Sequence, residues 1–243
     1  MDNLNLIKKF LLALSLFVPI SPSVVFALDL SDIRTEIRVR IKDTHATNRR
    51  YSDAQLLEII NQTQRDVATV SWIIKKSTSI TLVSGTTYYT LPTDVFSIDR
   101  VTFQYRNIPE SSLQELDSRF NNSSWANATG TIDRYFQDLS QPSKIGVYPW
   151  PNSSASTGTL RINYIAQAAD LASDSDEPFN GDDRYTQYHD LLIYDPCNKI
   201  FLIEGDLPKA DQYRAYYEAR VQLLLDSVGS RPNYRPSFGA RRE

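Results

Sequence analysis

Apolar residues recur at helical spacing in two stretches near the start of the chain, and they predict two amphipathic helices. In residues 29–43 three isoleucines follow one another at steps of four, with Ser31 as a candidate N-terminal cap. In residues 52–74 the apolar positions again share one face, and Ser52 and Gln55 have the spacing of a capping box. The sequence therefore predicts two helices joined by a loop over 44–51.

The period of the pattern then changes from about 3.6 residues to about two, which indicates strands. Residues 78–94 predict a β-hairpin, with a turn at Gly85 and a second strand that ends at Leu91-Pro92. Further strands are predicted over 96–105, 134–137, 144–148 and 159–166, and a short helix over 112–120. The middle of the chain is therefore predicted to be an antiparallel β lobe.

Helical spacing returns after Asp183 and continues to Gly229. Pro196 is expected to kink or split the first of these helices, and Pro208 to lie in the first turn of the last one. The expected fold class is α+β: a helical bundle formed by the N- and C-terminal helices, with an inserted antiparallel β lobe and an extended C-terminal tail. The predicted boundaries are 28–77 and 171–230 for the two parts of the bundle, 78–170 for the β lobe and 231–243 for the tail.

Residues 1–27 have the pattern of a secretory leader. Lys8 and Lys9 precede an apolar stretch over 10–20, and small residues lead to Ala27. The apolar stretch is short for a membrane span and is interrupted by proline. Either this segment is a signal peptide cleaved after Ala27, or it is an apolar helix that docks onto a partner.

The composition is that of an ordinary globular protein, with 41% apolar and 23% charged residues in a chain of 243. The formal net charge of -3 gives no general attraction for nucleic acid, which usually binds a basic face. A single cysteine, Cys197, excludes an intrachain disulfide, and its apolar neighbours indicate a core position.

The residues that catalysis usually needs are scarce. Only two histidines occur, His45 in a polar loop and His189 in a predicted helix, where a structural role is the simpler interpretation. The eight scattered glycines form neither a nucleophile elbow nor a phosphate-binding loop. The acidic residues in 174–183 depart from calcium-loop spacing, so Asp182 or Asp183 is expected at a helix start. We therefore predict that the protein is not an enzyme and has no catalytic, cofactor or metal residues.

Fourteen tyrosines are present, and six of them cluster in the predicted C-terminal helices. Tyrosine combines apolar area with a hydroxyl group and is enriched at protein interfaces. Packing in the core is the alternative, because many of these positions share the apolar face of their helix. The candidate subunit-interface residues are Tyr185, Tyr188, Tyr213, Tyr216 and Tyr217, and Tyr194 belongs to the same cluster.

The segment 231–243 combines arginines and aromatic residues with prolines that keep it extended. Such side chains supply much of the binding energy when a segment inserts into a partner's groove, although a free, solvated tail is the alternative. The residues that would dock are Arg231, Tyr234, Arg235, Phe238, Arg241 and Arg242.

One combination of motifs resembles a known family. Tyr51-Ser52-Asp53 precedes a helix that carries Asn61, and residues 78–94 follow with Tyr-Thr-Leu-Pro-Thr-Asp. This order is similar to that of tailed-bacteriophage head-to-tail adaptor (connector) proteins, and the similarity extends loosely from Leu28 to the C-terminus.

The resemblance implies a structural virion protein whose copies form a ring, usually twelvefold, under the portal protein. It implies that the C-terminal tail docks on the portal, that the β lobe faces a downstream tail or nozzle protein or a neighbouring copy, and that DNA passes through the lumen without sequence-specific binding. The function predicted is a head-to-tail adaptor in the virion neck. The alternative, supported by the leader pattern, is an exported bacterial envelope or surface binding protein.

Overall fold

The computed structural model describes residues 27–45, 47–119, 124–155 and 158–229, in which helices flank a β region. The α-helices are α1 (Leu30–Arg40), α2 (Asp53–Ser71), α3 (Leu113–Arg119), α4 (Pro178–Gly181), α5 (Leu191–Glu204) and α6 (Leu207–Gly229), and two 3₁₀ helices span Ser124–Asn127 and Asp183–Tyr188. The strands are β1 (Lys75–Thr81), β2 (Tyr88–Thr90), β3 (Val95–Phe103), β4 (Arg106–Ile108), β5 (Thr129–Gly130), β6 (Arg134–Gln137), β7 (Lys144–Tyr148), β8 (Trp150–Pro151) and β9 (Thr159–Ala166). The predicted α+β class is confirmed. Nearly all of the predicted leader and the whole of the predicted tail lie outside the described residues.

The first two helices start at polar caps. Asp29, and not the predicted Ser31, caps α1, since its carboxylate accepts the N–H of Asp32 at 2.8 Å. The capping box of α2 is confirmed, with Ser52 and Gln55 exchanging hydrogen bonds. This helix is shorter than predicted, because Trp72 adopts a left-handed conformation (φ 52°) directly after Ser71. The chain is thereby turned into β1.

The strands form three sheets. The four-stranded sheet has the order β1-β9-β3-β4, the three-stranded sheet has the order β2-β7-β6, and β5 pairs with β8. All pairs in the two larger sheets are antiparallel.

The hairpin predicted over 78–94 is wrong. β1 pairs with β9 and β2 pairs with β7, so the two strands on either side of Gly85 belong to different sheets. The Tyr89 hydroxyl accepts the Val83 N–H at 3.1 Å, and its contacts with the carbonyls of Val83 and Thr86 hold the intervening loop. The loop therefore joins two sheets, and each of the two strands pairs with a partner that is distant in sequence.

A small second core packs against the three-stranded sheet. Trp125 and Phe136 pack edge to face at 5.5 Å between ring centroids, and Leu116 and Tyr148 complete the cluster. Gly146 lies under the Phe136 ring, where a Cβ atom would come within 2.2 Å of ring carbon. Glycine is therefore required at this position of β7.

The C-terminal helices pack on α1 and α2 and complete the bundle. Pro196 lies within α5, which runs unbroken from Leu191 to Glu204. Gly205 (φ 77°) ends α5 and lets the chain turn directly into α6. Buried residues of α1, α2, α5 and the four-stranded sheet belong to one hydrophobic cluster, so the bundle and the large sheet share a core.

The chain returns from β9 to the bundle through residues 167–177, which we call the return segment. Two carboxamides of α2 hold this segment. Asn61 accepts the Leu171 N–H at 2.8 Å and donates to the Leu171 carbonyl at 3.0 Å. Gln64 donates to the Ala169 carbonyl at 2.7 Å and accepts the Phe179 N–H at 3.0 Å. Both side chains are buried, so these bonds form away from water and fix the path of the backbone.

The return segment also satisfies the start of α1. The first N–H groups of a helix have no partner within the helix. The N–H groups of Leu30 and Ser31 donate at 3.0 Å to the carbonyls of Asp176 and Asp174. The return segment, which leads into the C-terminal helices, thus bonds to both α1 and α2.

Replacing Asn61 by alanine should lower the free energy of unfolding by about 2–4 kcal/mol, because a buried N–H and a buried C=O of Leu171 lose their partners. Gln62→Ala is the matched control, since Gln62 is exposed on the same helix, and its effect should stay within about 0.5 kcal/mol. Urea unfolding followed by circular dichroism measures both. Equal stability of the two variants would contradict this account of the return segment.

Candidate functional site

The five tyrosines proposed as subunit-interface residues lie in two different environments. Tyr185 and Tyr188 belong to the 3₁₀ helix Asp183–Tyr188 and are only 2% and 5% exposed. The Tyr188 hydroxyl donates to the Leu223 carbonyl at 3.3 Å, and the Arg220 guanidinium lies over its ring at 5.4 Å. These two side chains pack inside the subunit and offer little surface to a partner.

The other three tyrosines lie on α6, and two of them belong to an aromatic cluster at the bundle surface. Tyr216 and Tyr213 contact the Tyr194 ring of α5 at 5.7 and 6.5 Å between centroids. Phe201 stacks on Tyr213 at 5.5 Å. Arg40 of α1 lies over Tyr194 at 5.7 Å. The cluster joins three helices, and the Tyr216 side chain in it is 46% exposed to solvent.

Tyr217 faces a polar contact between α2 and α5. The buried Thr63 hydroxyl donates to the Asp195 carboxylate at 2.6 Å, and Lys199 pairs with the same oxygen at 2.6 Å. Burial, together with the negative charges of Asp195 and Asp66, raises the pKa of Tyr217. Its phenol therefore stays neutral, and the half-buried ring can act as apolar contact area at the side of α6.

Helix α6 leaves one face uncovered by the rest of the subunit. Its buried residues, Ala210, Leu224 and Val228, form a narrow stripe. Tyr216 and Leu223 lie on a flank of the helix roughly 120° from this stripe, seven residues or about two turns apart, and are 46% and 51% exposed. Ala215 and Ala219 lie beside them, opposite the stripe, and are exposed. We call these four residues the outer face of α6.

The sequence analysis missed the exposed apolar residues Leu202, Ile203 and Leu223, because apolar residues of a helix were assigned to its core face. Leu202 and Ile203 are 51% and 72% exposed near the end of α5. One signal was available: Phe201, Leu202 and Ile203 are consecutive, and three consecutive residues cannot all face one side of a helix.

The Tyr51-Ser52-Asp53 motif surrounds a buried arginine of α1. Arg38 is 6% exposed and donates through Nη2 to the Tyr51 carbonyl at 3.0 Å and to the Asp53 carboxylate at 2.7 Å. Through Nη1 it donates to Asp43 at 2.9 Å. The hydrogen bond from Arg38 lowers the pKa of Asp53. The motif thus neutralises Arg38 while Ser52 starts α2.

Asp43 organises the loop between α1 and α2 and is 3% exposed. It accepts the backbone N–H groups of Arg50 at 2.9 Å and Tyr51 at 3.3 Å. Burial opposes ionisation, but these two N–H groups and the charge of Arg38 outweigh it and lower the pKa of Asp43. The Tyr51 hydroxyl donates to Glu204 of α5 at 3.3 Å, and Arg50 pairs with the same carboxylate. The loop therefore ties α1 and α2 to the end of α5.

The side chains that could serve in catalysis, His189 and Cys197, are buried and have structural roles. His189 is buried, and its Nδ1 contacts the backbone of Leu28 at 3.1–3.2 Å, while burial lowers its pKa. Burial raises the pKa of the Cys197 thiol to about 12, which keeps it protonated. Asp182 accepts the Arg184 N–H at the start of the 3₁₀ helix, as predicted for that position.

Within the described ranges, no cluster of three or more histidine, cysteine, aspartate or glutamate side chains has a geometry suited to a metal ion. Among the same residues, no helix is both long and apolar enough to cross a membrane. The six tail residues from Arg231 to Arg242 lie outside the described part of the chain.

A comparison with family models gives one match. The model of the family described as SU10 adaptor protein matches residues 28–238. The matched region includes every α-helix and strand defined above. A search of curated proteins found no match.

Asp43→Asn should lower the free energy of unfolding by about 3 kcal/mol near neutral pH, because the buried Arg38 loses the more buried of its two carboxylate partners. The folded-state pKa of Asp43 is lowered, so its stabilisation is fully present above the unfolded-state pKa of about 3.9 and is lost as the pH falls through the folded-state pKa. The difference in unfolding free energy between wild type and variant should therefore narrow below about pH 4.

Urea unfolding at a series of pH values measures this difference. Glu36→Gln, on the preceding helix α1, is the control, because Glu36 forms an exposed pair with Arg40 and should contribute less than about 0.5 kcal/mol. A difference for Asp43→Asn that does not depend on pH would show that the carboxylate charge is unimportant.

Proposed function

The chain belongs to the SU10 adaptor protein family, and from this premise we propose that it is a ring-forming head-to-tail adaptor of a tailed bacteriophage. Membership of the family gives the coarser conclusion, a structural adaptor role in the phage particle. In our proposal, copies of the chain close into a ring, twelvefold by the resemblance described above, which binds the portal and joins it to the tail. DNA leaves the head through the central channel during ejection.

The observation that carries the proposal is the extent of the family match. Residues 28–238 include the bundle, the β region and part of the tail that would dock. Of the tail residues, Arg231, Tyr234, Arg235 and Phe238 fall inside the match, whereas Arg241 and Arg242 follow it. The export hypothesis rests on residues 1–27, which precede the match, and no feature of the described residues favours it.

We assign the subunit contact to the outer face of α6. A ring forms when one surface of each copy meets a different surface of the next copy and the rotation closes. The outer face of α6 combines aromatic and aliphatic side chains with small residues that permit close packing, and exposed apolar surface of this kind is typical of interfaces. Tyr216 and Leu223 would make the contact, with Tyr213 and Tyr217 beside them. Tyr185 and Tyr188 would support this helix from inside the subunit.

The tail is proposed to bind the portal. It follows Gly229 at the end of α6, so the helix assigned to the subunit contact also leads into the docking segment. Arginine side chains and the rings of Tyr234 and Phe238 would anchor it in a groove of the portal.

The β lobe is proposed to face the downstream tail or nozzle protein or a neighbouring copy. The mild negative charge of the chain, -3 in all, suits a channel through which DNA slides without being held, since phosphate is repelled.

A negative charge on the outer face of α6 should prevent ring formation, because a desolvated carboxylate in the contact has no partner. We expect the double variant Tyr216→Glu and Leu223→Glu to remain monomeric when wild type assembles, as measured by native mass spectrometry in the presence of portal. Arg214→Glu is the control, since it adds negative charge on the charged side of the same helix, away from Tyr216 and Leu223. Rings of the double variant would exclude this contact.

Deletion of residues 231–243 should abolish attachment to the portal and leave the fold intact, because these residues follow the last helix. Co-sedimentation with portal assemblies measures attachment, and circular dichroism checks the fold. The full-length double variant Tyr234→Ser and Phe238→Ser should weaken attachment by at least about tenfold if the aromatic rings are anchors. Unchanged attachment of the deletion variant would rule out docking through the tail.

A further inference from the structure

The four-stranded sheet has an open edge at β1. The order β1-β9-β3-β4 gives β1 a neighbour on one side only. In an antiparallel pair, the backbone groups of every second residue bond to the partner strand. Ile74 bonds to Ala166 just before β1, and Leu82 bonds to Gly158 just after it, so the even-numbered residues of β1 face β9. The backbone groups of Ser77, Ser79 and Thr81 therefore point away from the sheet, and no group in the described ranges bonds to them.

This edge has little protection against another strand. Exposed edges in natural proteins are usually shortened, bent by bulges, or blocked by charge or proline. Lys75 and Lys76 give charge to the first two positions of β1, but 77–81 contain neither charge nor proline, and the pairing of β1 with β9 runs in regular register. Five uncharged residues thus present a straight backbone to solvent.

A cationic cleft borders the same edge. The cleft has a volume of 510 Å³ and crosses the solvent face of β1, β9 and β3. Two arginines and several uncharged polar side chains line the cleft, and no carboxylate lines it. The lining residues are Ser79, Arg100, Thr102, Gln104, Tyr105, Gly158, Thr159 and Arg161. Such a lining suits an anion, although the whole chain carries a net charge of -3.

The two arginines of the cleft differ from eleven other arginines in the described ranges. Each of those eleven pairs with a carboxylate within 4.0 Å. Arg100 and Arg161 have no such partner among the described residues and are exposed. Arg100 is opposite Asn163 and Arg161 is opposite Thr102, so the two arginines are diagonal neighbours and can reach one carboxylate.

We propose that the β1 edge and this cleft form a docking site for an extended, acidic segment of another protein chain. The segment adds a fifth strand to the sheet, with its backbone bonded to Ser77, Ser79 and Thr81. Every second side chain of the added strand then lies on the solvent face beside Ser79. A carboxylate at one of these positions pairs with Arg161, which lies two strands away across Ser79, while Arg100, one strand farther, adds to the positive potential of the cleft. Neither the ring nor the portal contact is needed for this inference.

Carboxylates on the same face of the sheet make a polypeptide a better occupant than duplex DNA. A second cleft on this face, of 650 Å³, is lined by Asp99 and Glu110 as well as by Lys75 and Arg100. A continuous row of phosphates across the sheet would meet these carboxylates, whereas an added strand lies along β1 and avoids them. A second copy is a poor occupant too. Its other edge strand, β4, has only three residues and would leave most of β1 unpaired, and its own β1 has no acidic residue in 77–81 to pair with Arg161.

The test uses the full-length protein and a fluorescein-labelled peptide, Thr-Glu-Val-Glu-Val-Glu-Val-Thr, with binding followed by fluorescence anisotropy. We expect saturable binding that weakens as salt is added, and at least about tenfold weaker binding of the peptide with glutamine at each glutamate position. Arg161→Glu should cause a similar loss, whereas Arg214→Glu, on α6, should not.

Ser79 gives a matched pair of variants that tests strand addition itself. Ser79→Pro removes the outward N–H at a position where an edge strand tolerates proline, and it should abolish binding. Ser79→Ala keeps this N–H and should bind within about twofold of wild type. Thermal unfolding followed by circular dichroism verifies that both variants are folded.

Several results would overturn the proposal: no binding of the acidic peptide, equal binding of its glutamine form, or equal binding by the Ser79→Pro variant. A labelled DNA duplex of about twenty base pairs is titrated in parallel. Tight binding of this duplex without binding of the peptide would assign the face to nucleic acid, and self-association lost in Ser79→Pro without peptide binding would assign the edge to a second copy.

Discussion

The architecture depends on two buried carboxamides of α2. Asn61 and Gln64 bond the backbone of the return segment at residues more than 100 positions away in sequence, and they do so where water cannot replace them. The same segment supplies carbonyl partners to the start of α1. Without this connection, backbone groups of Ala169 and Leu171 would lose their partners, and so would the N–H groups of Leu30 and Ser31 at the start of α1.

This arrangement leaves surfaces that the subunit does not use itself. The loop around Arg38 and Asp43 locks α1, α2 and α5 together, so α6 needs only a narrow stripe of its own surface for packing. Its outer face is therefore available, and the polypeptide that follows it is the proposed portal-docking tail. In the β region, β1 has an unpaired edge beside a cleft of positive charge. A structural adaptor binds several partners, so it needs separate surfaces such as the outer face of α6 and the edge of β1.

Local patterns predicted the elements well, and non-local contacts account for the errors. Apolar periodicity located α1, α2 and the C-terminal helices, and Ser52 with Gln55 located the start of α2, because these signals involve neighbours in sequence. The strands on either side of Gly85 resemble a hairpin locally, but β9 and β7 provide partners more than 50 residues away, and no local signal reports them. Asn61 was noted as part of a motif, whereas its bonds to Leu171 depend on the folded path of the return segment. Exposure of Tyr216 and Leu223, and burial of Tyr185 and Tyr188, likewise follow from which helices pack together.

Electron cryomicroscopy of this protein assembled on its portal would show whether copies of the chain meet through α6. We expect a closed ring in which the outer face of α6, with Tyr216 and Leu223, is buried against the next copy while the C-terminal tail enters the portal. Isolated copies on the portal, or a ring in which this face of α6 is exposed to solvent, would contradict it.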